Sequence, residues 1–235
     1  MNNNIWVALL PLLLTACGGE PDNTEVRAYL LEHPEIVLDN PEVEQAISAV
    51  AEQRRRQAEE STRRNVLAAN RQLIRSPLTP TLGNADANIS IIQFSDYQCA
   101  PCKQTYGELE IVKNSRDDIE VLYLELPVYG SNSELAARAA IAANANGVFV
   151  EYHRSLMQSD AMLNVASIRA AAIAAGMTDA QIENSFSDPE TIEYLVQLRA
   201  LAEKLNVSGT PTYLIGNEFV RGAMTAAQFT AALDR

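Results

Sequence analysis

Cysteine is scarce, with three in 235 residues. Cys99 and Cys102 stand close together and Cys17 lies far upstream, so there is no framework of structural disulfides. A zinc site needs about four ligands. There is no second C-x-x-C, and His33 and His153 are isolated, so no residue is assigned to a metal. Positive charge is in the minority, 18 Lys and Arg against 30 Asp and Glu for a net −12. That argues against nucleic acid as a partner of the whole molecule. The N-terminal apolar run, Ile5 to Leu14 with a break at Pro11, falls well short of the ~20 residues that span a bilayer. What the chain does have is 47% apolar residues, enough for a real core.

The short N-terminal run has the length of a signal h-region, and Trp6 belongs to it. Leu14-Thr15-Ala16-Cys17 resembles a bacterial lipobox, which implies a signal over 1–16, lipid on Cys17 and a tether over 17–23. The n-region departs from that pattern because it carries no Lys or Arg. An ordinary cleaved signal is the alternative. Gly18, rather than Asp, follows the cysteine, which in enteric-type bacteria implies the outer membrane. The expected location is the periplasmic face of a bacterial membrane, with a soluble periplasmic protein as the alternative.

The chemistry centres on Cys99-Ala100-Pro101-Cys102. Ile89 to Phe94 reads as a buried strand, and roughly Lys103 to Asn114 as a helix with Leu109, Ile111 and Val112 as its apolar positions. In a strand–turn–helix context this spacing reads as a redox pair. Cys99 would stand at a helix N-terminus, where free N–H groups and the helix dipole favour a thiolate. Cys102, one turn further in and more shielded, would displace a mixed disulfide. Cys99 is the expected nucleophile and Cys102 the resolving thiol. A purely structural disulfide is the weaker alternative, since so small a ring gains little from loop closure. No cofactor is required.

Residues 24–75 read as a helical arm. Its first helix should stop near Pro34, and Asn40-Pro41-Glu42 is a start signal for a long helix running to about Arg75. Val43, Ile47 and Val50 repeat at i, i+4, i+7, as do Val66, Ala69 and Leu73. Charge is segregated: 20–52 holds nine acids and one Arg (net −8), and 53–75 holds seven Arg and two Glu (net +5). The arm is expected to join copies of the chain into a homo-oligomer; a solvated stalk is the alternative.

Residues 76–235 read as the catalytic domain. A Pro- and Gly-containing loop with a short edge strand leads into the first strand and the C-x-x-C helix. A second buried strand, Ile119 to Leu126, follows and makes a parallel βαβ unit. A helical insertion spans about 131–206, opening on a Ser131-x-x-Glu134 capping box. His153 within it reads as a surface or boundary residue. Thr212 to Ile215, a Gly216-Asn217 turn, Glu218 to Val220 and a last helix from Ala226 to Leu233 complete an α/β sandwich.

On these residues the chain resembles DsbA-type thioredoxin-fold oxidoreductases. Phe94-Ser95-Asp96-Tyr97-Gln98-Cys99-Ala100-Pro101-Cys102 is similar to their F-x-D-Y-x-C-x-x-C, and Gly209-Thr210-Pro211-Thr212 to their G-T-P-T. The arm resembles that of ScsC-like and Com1-like members, whose Y-L-x-x-x-P-E is matched by 29–35. The resemblance implies a thioredoxin fold with a helical insertion behind a helical arm. It also implies a cis Thr210–Pro211 bond beside the redox pair, where Thr210, Pro211, Ala100 and Pro101 receive an extended client. The implied partners are exported proteins with cysteines and a membrane redox protein. Two departures bear on direction. Gln93 stands where many relatives carry a proton-relaying Glu, and Ala100-Pro101 puts no His between the cysteines. Both predict a less acidic Cys99 and a less oxidising disulfide, leaning to isomerase or reductase rather than oxidase. Two thiolates could also hold Cu(I), so copper handling is a further alternative.

Overall fold

The computed structural model describes residues 23–84, 86–216 and 218–235. The signal, Cys17, the tether through Asp22, and Asn217 of the hairpin turn lie outside the described residues. The chain divides into two compact units, one ending at Gln57 and the other spanning Ala58–Arg235.

The first unit contains α1 (Asn23–Glu32), α2 (Glu35–Leu38) and the beginning of α3 (Pro41–Ala69). Pro34 interrupts the chain after α1. Asn40 opens α3: its side-chain oxygen accepts the N–H groups of Glu42 at 3.2 Å and Val43 at 3.4 Å, and Pro41 occupies the first helical position. No residue of α1, α2 or α3 is buried.

In the second unit the helix expected to reach Arg75 ends at Ala69. Asn70 closes the helix: its side chain donates to the Val66 carbonyl at 2.7 Å beside its own backbone N–H at 3.1 Å, and the one-turn α4 (Arg71–Ile74) follows. Ile74 is buried, and Val66, Leu67 and Leu73 pack beside it on the same core as Leu198 and Leu201.

Among the described residues five strands form one sheet in the order β1-β3-β2-β4-β5: β1 (Thr81–Gly83), β2 (Ile89–Ser95), β3 (Ile119–Glu125), β4 (Thr212–Ile215) and β5 (Glu218–Arg221). β2 and β3 are parallel, joined through α5 (Ala100–Ser115), and the other pairings are antiparallel. Gly83 lets the edge strand close in, because a Cβ there would sit 2.6 Å from the Ile119 carbonyl oxygen at a φ of +103°. Every residue of β3 is buried, so the sheet is covered on both faces. The period of two sorts the strand residues into two cores. Ile91, Val121, Tyr123 and Tyr213 face the cysteines and α5, whereas Phe94, Leu122 and Leu124 face Leu198 and Leu201.

The insertion comprises α6 (Ser131–Ala145), α7 (Phe149–Met157), α8 (Val165–Ala175), α9 (Asp179–Ser187) and α10 (Pro189–Lys204), and α11 (Ala226–Leu233) ends the chain. Asn164 and Thr178 form capping boxes and Asp188 caps α10. The box expected at Ser131 is absent. Gly130 is the N-cap with no side-chain bond, and the Glu134 carboxylate pairs instead with Arg138 and Arg199.

Candidate active site

The turn from β2 into α5 places the cysteines. Cys99 is the N-cap of α5, Pro101 sits in its first turn, and the Cys102 N–H donates to the Cys99 sulfur at 3.1 Å. Cys99 and Cys102 are joined as a disulfide with Cα atoms 5.2 Å apart. That one N–H and the start of α5 favour negative charge on Cys99 Sγ once the bond opens.

A single carboxylate shapes the approach to this turn. Asp96 is buried and accepts four hydrogen bonds. One oxygen takes the Gln98 N–H and the Ser133 hydroxyl, both at 2.7 Å; the other takes the Val128 N–H at 2.7 Å and the Tyr129 N–H at 3.2 Å. Gln98 reinforces the link by donating to the Tyr129 carbonyl at 3.0 Å. The loop before α6 is thereby fixed against the redox turn.

Pro211 arrives from the start of β4. The Thr210–Pro211 peptide is cis, and the Thr210 carbonyl oxygen lies 3.2 Å from Cys99 Sγ. Gly222 N–H donates to the Pro211 carbonyl at 2.9 Å, which fixes this segment to the strand after β4. Ala100 and Pro101 are exposed, but both cysteines are 0% exposed. The difference in shielding expected between Cys99 and Cys102 is therefore not seen: in the disulfide form neither sulfur is open to solvent.

Gln93 is buried, with its side-chain N–H₂ 3.5 Å from the Tyr213 hydroxyl and its oxygen without a partner. It is thus a neutral group on the cysteine-facing side of the sheet. His153 corrects the reading from sequence. It is 2% exposed, its Nδ1 lies 2.9 Å from the Tyr97 hydroxyl, and it is enclosed by the rings of Tyr97, Tyr106, Tyr123 and Phe149 at 4.7–5.5 Å. Burial lowers its pKa to about 3, and Lys113 adds to the effect, so the imidazole is neutral.

Two acids on β3 meet opposite fates. Glu120 is buried at one end, where burial raises its pKa but Arg75 and Ser90 outweigh that and hold it below the ordinary value. Glu125, at the end near the redox turn, is 1% exposed and neither oxygen has a hydrogen-bond partner. The Tyr97 hydroxyl faces it without completing a bond of good geometry, so burial, with the nearby Asp96, pushes its pKa well up. The sequence signal for Glu125 was its register: it shares a face with Val121 and Tyr123 in a strand read as buried.

The fold has counterparts in known proteins. Residues 75–235 match the family model described as Thioredoxin. The chain belongs to the thioredoxin family. It is a DsbA-type thioredoxin-fold protein, α/β with N-terminal helices. A thioredoxin-like oxidoreductase from Silicibacter pomeroyi DSS-3 superposes with a TM-score of 0.67 at 30% identity, covering 71% of this chain and 96% of that one. The catalytic domain of Proteus mirabilis ScsC superposes at 0.66 with 27% identity, covering 73% and 96%. Among curated sequences, a Na(+)/H(+) antiporter NhaA 1 of Mycobacterium sp. strain KMS is 26% identical over 157 residues, 65% of this chain. The chain spans about a quarter of the length of the curated relatives it matches, 26% in that case.

Proposed function

We propose that the protein is a thiol–disulfide oxidoreductase acting on exported proteins, with Cys99 as nucleophile and Cys102 as resolving thiol. The observation that carries this reading is the convergence on Cys99 Sγ of the Cys102 N–H, the start of α5 and the Thr210 carbonyl beside Pro211. In the reduced form the Cys99 thiolate attacks one sulfur of a client disulfide. The client S–S bond breaks, a Cys99–client bond forms, and the other client sulfur leaves as a thiolate and is protonated. Two outcomes follow. Cys102 attacks Cys99, forms the internal disulfide and releases a reduced client, or a second client thiolate attacks and frees Cys99 with no net transfer of electrons.

The second outcome is isomerisation, and the site leans that way. Ala100 and Pro101 supply no cation to Cys99, and Gln93 is neutral, so the thiolate gains little beyond the helix terminus and one N–H. Thr210 and Pro211 present a backbone edge to an extended client. Because both sulfurs are covered, exchange begins with a local opening of the side chains over Cys99. The signal pattern and the Cys17 lipobox support a site on the periplasmic face of a membrane, where folding proteins carry free and mispaired cysteines. Among the described residues no helix is long and apolar enough to cross a membrane.

A second copy of the chain is the proposed partner of the first unit. Tyr29, Leu31, Leu38, Ile47 and Val50 are exposed there, more apolar surface than a lone helical segment keeps in water. Refolding of scrambled ribonuclease tests the function: the full chain restores activity without added oxidant, and Cys99→Ser does not. Failure of the wild-type chain while it oxidises reduced ribonuclease would reverse the assignment to oxidase.

A further inference from the structure

Buried polar atoms without partners are concentrated in one layer. Among the described residues such atoms are Arg63 Nε, Arg138 Nε, Thr210 Oγ1, and five on the cysteine-facing side of the sheet: Gln93 Oε1, Ser95 Oγ, Tyr123 Oη and both oxygens of Glu125. Each costs about 1–3 kcal/mol when left unmatched, so their accumulation in one place requires a reason.

The strand register makes them neighbours. Ser95 is opposite Glu125 and Gln93 is opposite Tyr123 across the β2–β3 ladder, and Tyr213 is opposite Gln93 across β2–β4. Tyr213 in turn lies beside the Thr105 hydroxyl, which donates to the Pro101 carbonyl at 3.0 Å within the first turns of α5. A line of hydroxyl and amide groups with open donor or acceptor sites therefore runs from Glu125 across the sheet to the helix that carries Cys102.

We propose that Glu125 is the proton store of this redox pair, giving its proton to the Cys102 sulfur as the disulfide opens and taking it back as the disulfide closes. The inference rests on the thiol-exchange reading above and assigns the proton that the exchange has to move. When a client thiolate attacks Cys99 Sγ, a client–Cys99 bond forms and the Cys99–Cys102 bond breaks. The electron pair goes to Cys102 Sγ. Glu125 supplies the proton through the intervening groups and is left as carboxylate. In reverse, that carboxylate takes the Cys102 proton, the Cys102 thiolate attacks Cys99 Sγ, and the client leaves as thiolate.

The surroundings of Glu125 suit a neutral acid that ionises only transiently. The titratable groups coupled to it electrostatically are Asp96 and Tyr97 from the turn after β2, Tyr123 from β3, Tyr152 from α7 and, from the core on the other face, Tyr194 of α10. His153, which holds Tyr97 from the other side, is kept neutral. No cation among these groups holds the charged form, and burial raises the acid well above its ordinary value, which favours the protonated carboxyl that a proton store needs. Gln93, at the position where many DsbA-type relatives carry an acid, cannot do this work. Glu125 reaches the same layer from the adjacent strand.

The test uses the full chain and its Glu125→Gln variant. Each is carried as the Cys99–glutathione mixed disulfide, and closure by Cys102 is followed by acid quench and mass spectrometry between pH 5 and 9. The expected result is closure at least about tenfold slower in the variant near pH 6.5, with a rate that climbs about tenfold per pH unit toward the thiol range. Alkylation of Cys99 by iodoacetamide should be unchanged. Equal rates and equal pH profiles within twofold overturn the proposal and leave thiol exchange standing. A wild-type chain that forms no mixed disulfide overturns both. Should Glu125→Gln fail to fold by circular dichroism, infrared difference spectra of the wild-type chain with carboxyl-labelled glutamate decide. A protonated glutamate band that changes between disulfide and dithiol forms is expected, and its absence in both forms overturns the assignment.

Discussion

His153 offers a stability prediction whose size follows from its surroundings. The imidazole is enclosed by Tyr97, Tyr106, Tyr123 and Phe149, and its pKa is about 3 against an ordinary 6.5. A base whose folded pKa is depressed contributes stability above its unfolded pKa and loses it as pH falls. Below 6.5 the unfolded chain binds a proton that the native chain refuses, so native stability drops by about 1.4 kcal/mol per pH unit down to about pH 3. Between pH 7.5 and 4.5 the loss attributable to this one residue is about 2.7 kcal/mol. His153→Phe keeps a ring in the stack with Phe149 and cannot titrate. It also strands the Tyr97 hydroxyl, a penalty of about 1–3 kcal/mol that does not depend on pH in this range. Urea unfolding followed by circular dichroism at pH 7.5 and 4.5 gives the four free energies. The variant should be the less stable protein at pH 7.5, and the gap should shift in its favour by about 2.7 kcal/mol at pH 4.5. All other titrations cancel in the difference. A gap that stays constant within 0.5 kcal/mol, a bound of about the scatter of such additivity tests, would refute the neutral, sealed imidazole.

Three further outcomes follow from particular contacts. Asp96→Ala removes the acceptor of four hydrogen bonds and should destabilise the native state by about 3–5 kcal/mol, while raising the reactivity of the disulfide toward dithiothreitol as the loop at Val128 and Tyr129 loosens; a loss under about 1 kcal/mol would contradict it. Arg75→Ala leaves Glu120 buried without its cation. Since Glu120 has a lowered pKa, its contribution is present above about 4.5 and lost as pH falls, so the variant should be less stable by about 2 kcal/mol at pH 7 and should converge with wild type in acid unfolding below pH 4. Ile47→Glu with Val50→Glu places charge on the exposed apolar stripe of α3, and sedimentation should show the full-length oligomer dissociating; a wild-type monomer would remove the proposed assembly.

The redox turn was legible in the sequence because its information is local. A buried strand, a C-x-x-C and a helix start fix where Cys99 lies, and G-T-P-T marks Pro211 within a short run. The parallel β2–β3 pair and the β4–β5 hairpin followed from connectivity and turn chemistry. What escaped was decided by contacts between distant segments. His153 lies beside polar neighbours in α7, and only the packing of that helix on β3 and the Tyr97 turn shows that it is sealed. Asn70 read as one more helical residue, yet α3 stops before it and its side chain folds back onto the Val66 carbonyl that its backbone N–H also uses. Ser131 looked like a cap, yet the turn placed Gly130 there and gave Ser133 to Asp96. Glu120 and Glu125 look alike in sequence, and contacts from Arg75 and Ser90, 45 and 30 residues from Glu120, set the two apart.

The central claim is that the Cys99–Cys102 pair exchanges with external thiols through Cys99. Equilibration of the full chain with a series of glutathione ratios, followed by acid quench, alkylation and mass analysis, tests it directly. The account predicts full, reversible interconversion of disulfide and dithiol along a two-electron curve, with a transient glutathione adduct on Cys99 and none on Cys102. A pair that stays oxidised at every ratio, or an adduct carried by Cys102 instead, would contradict it.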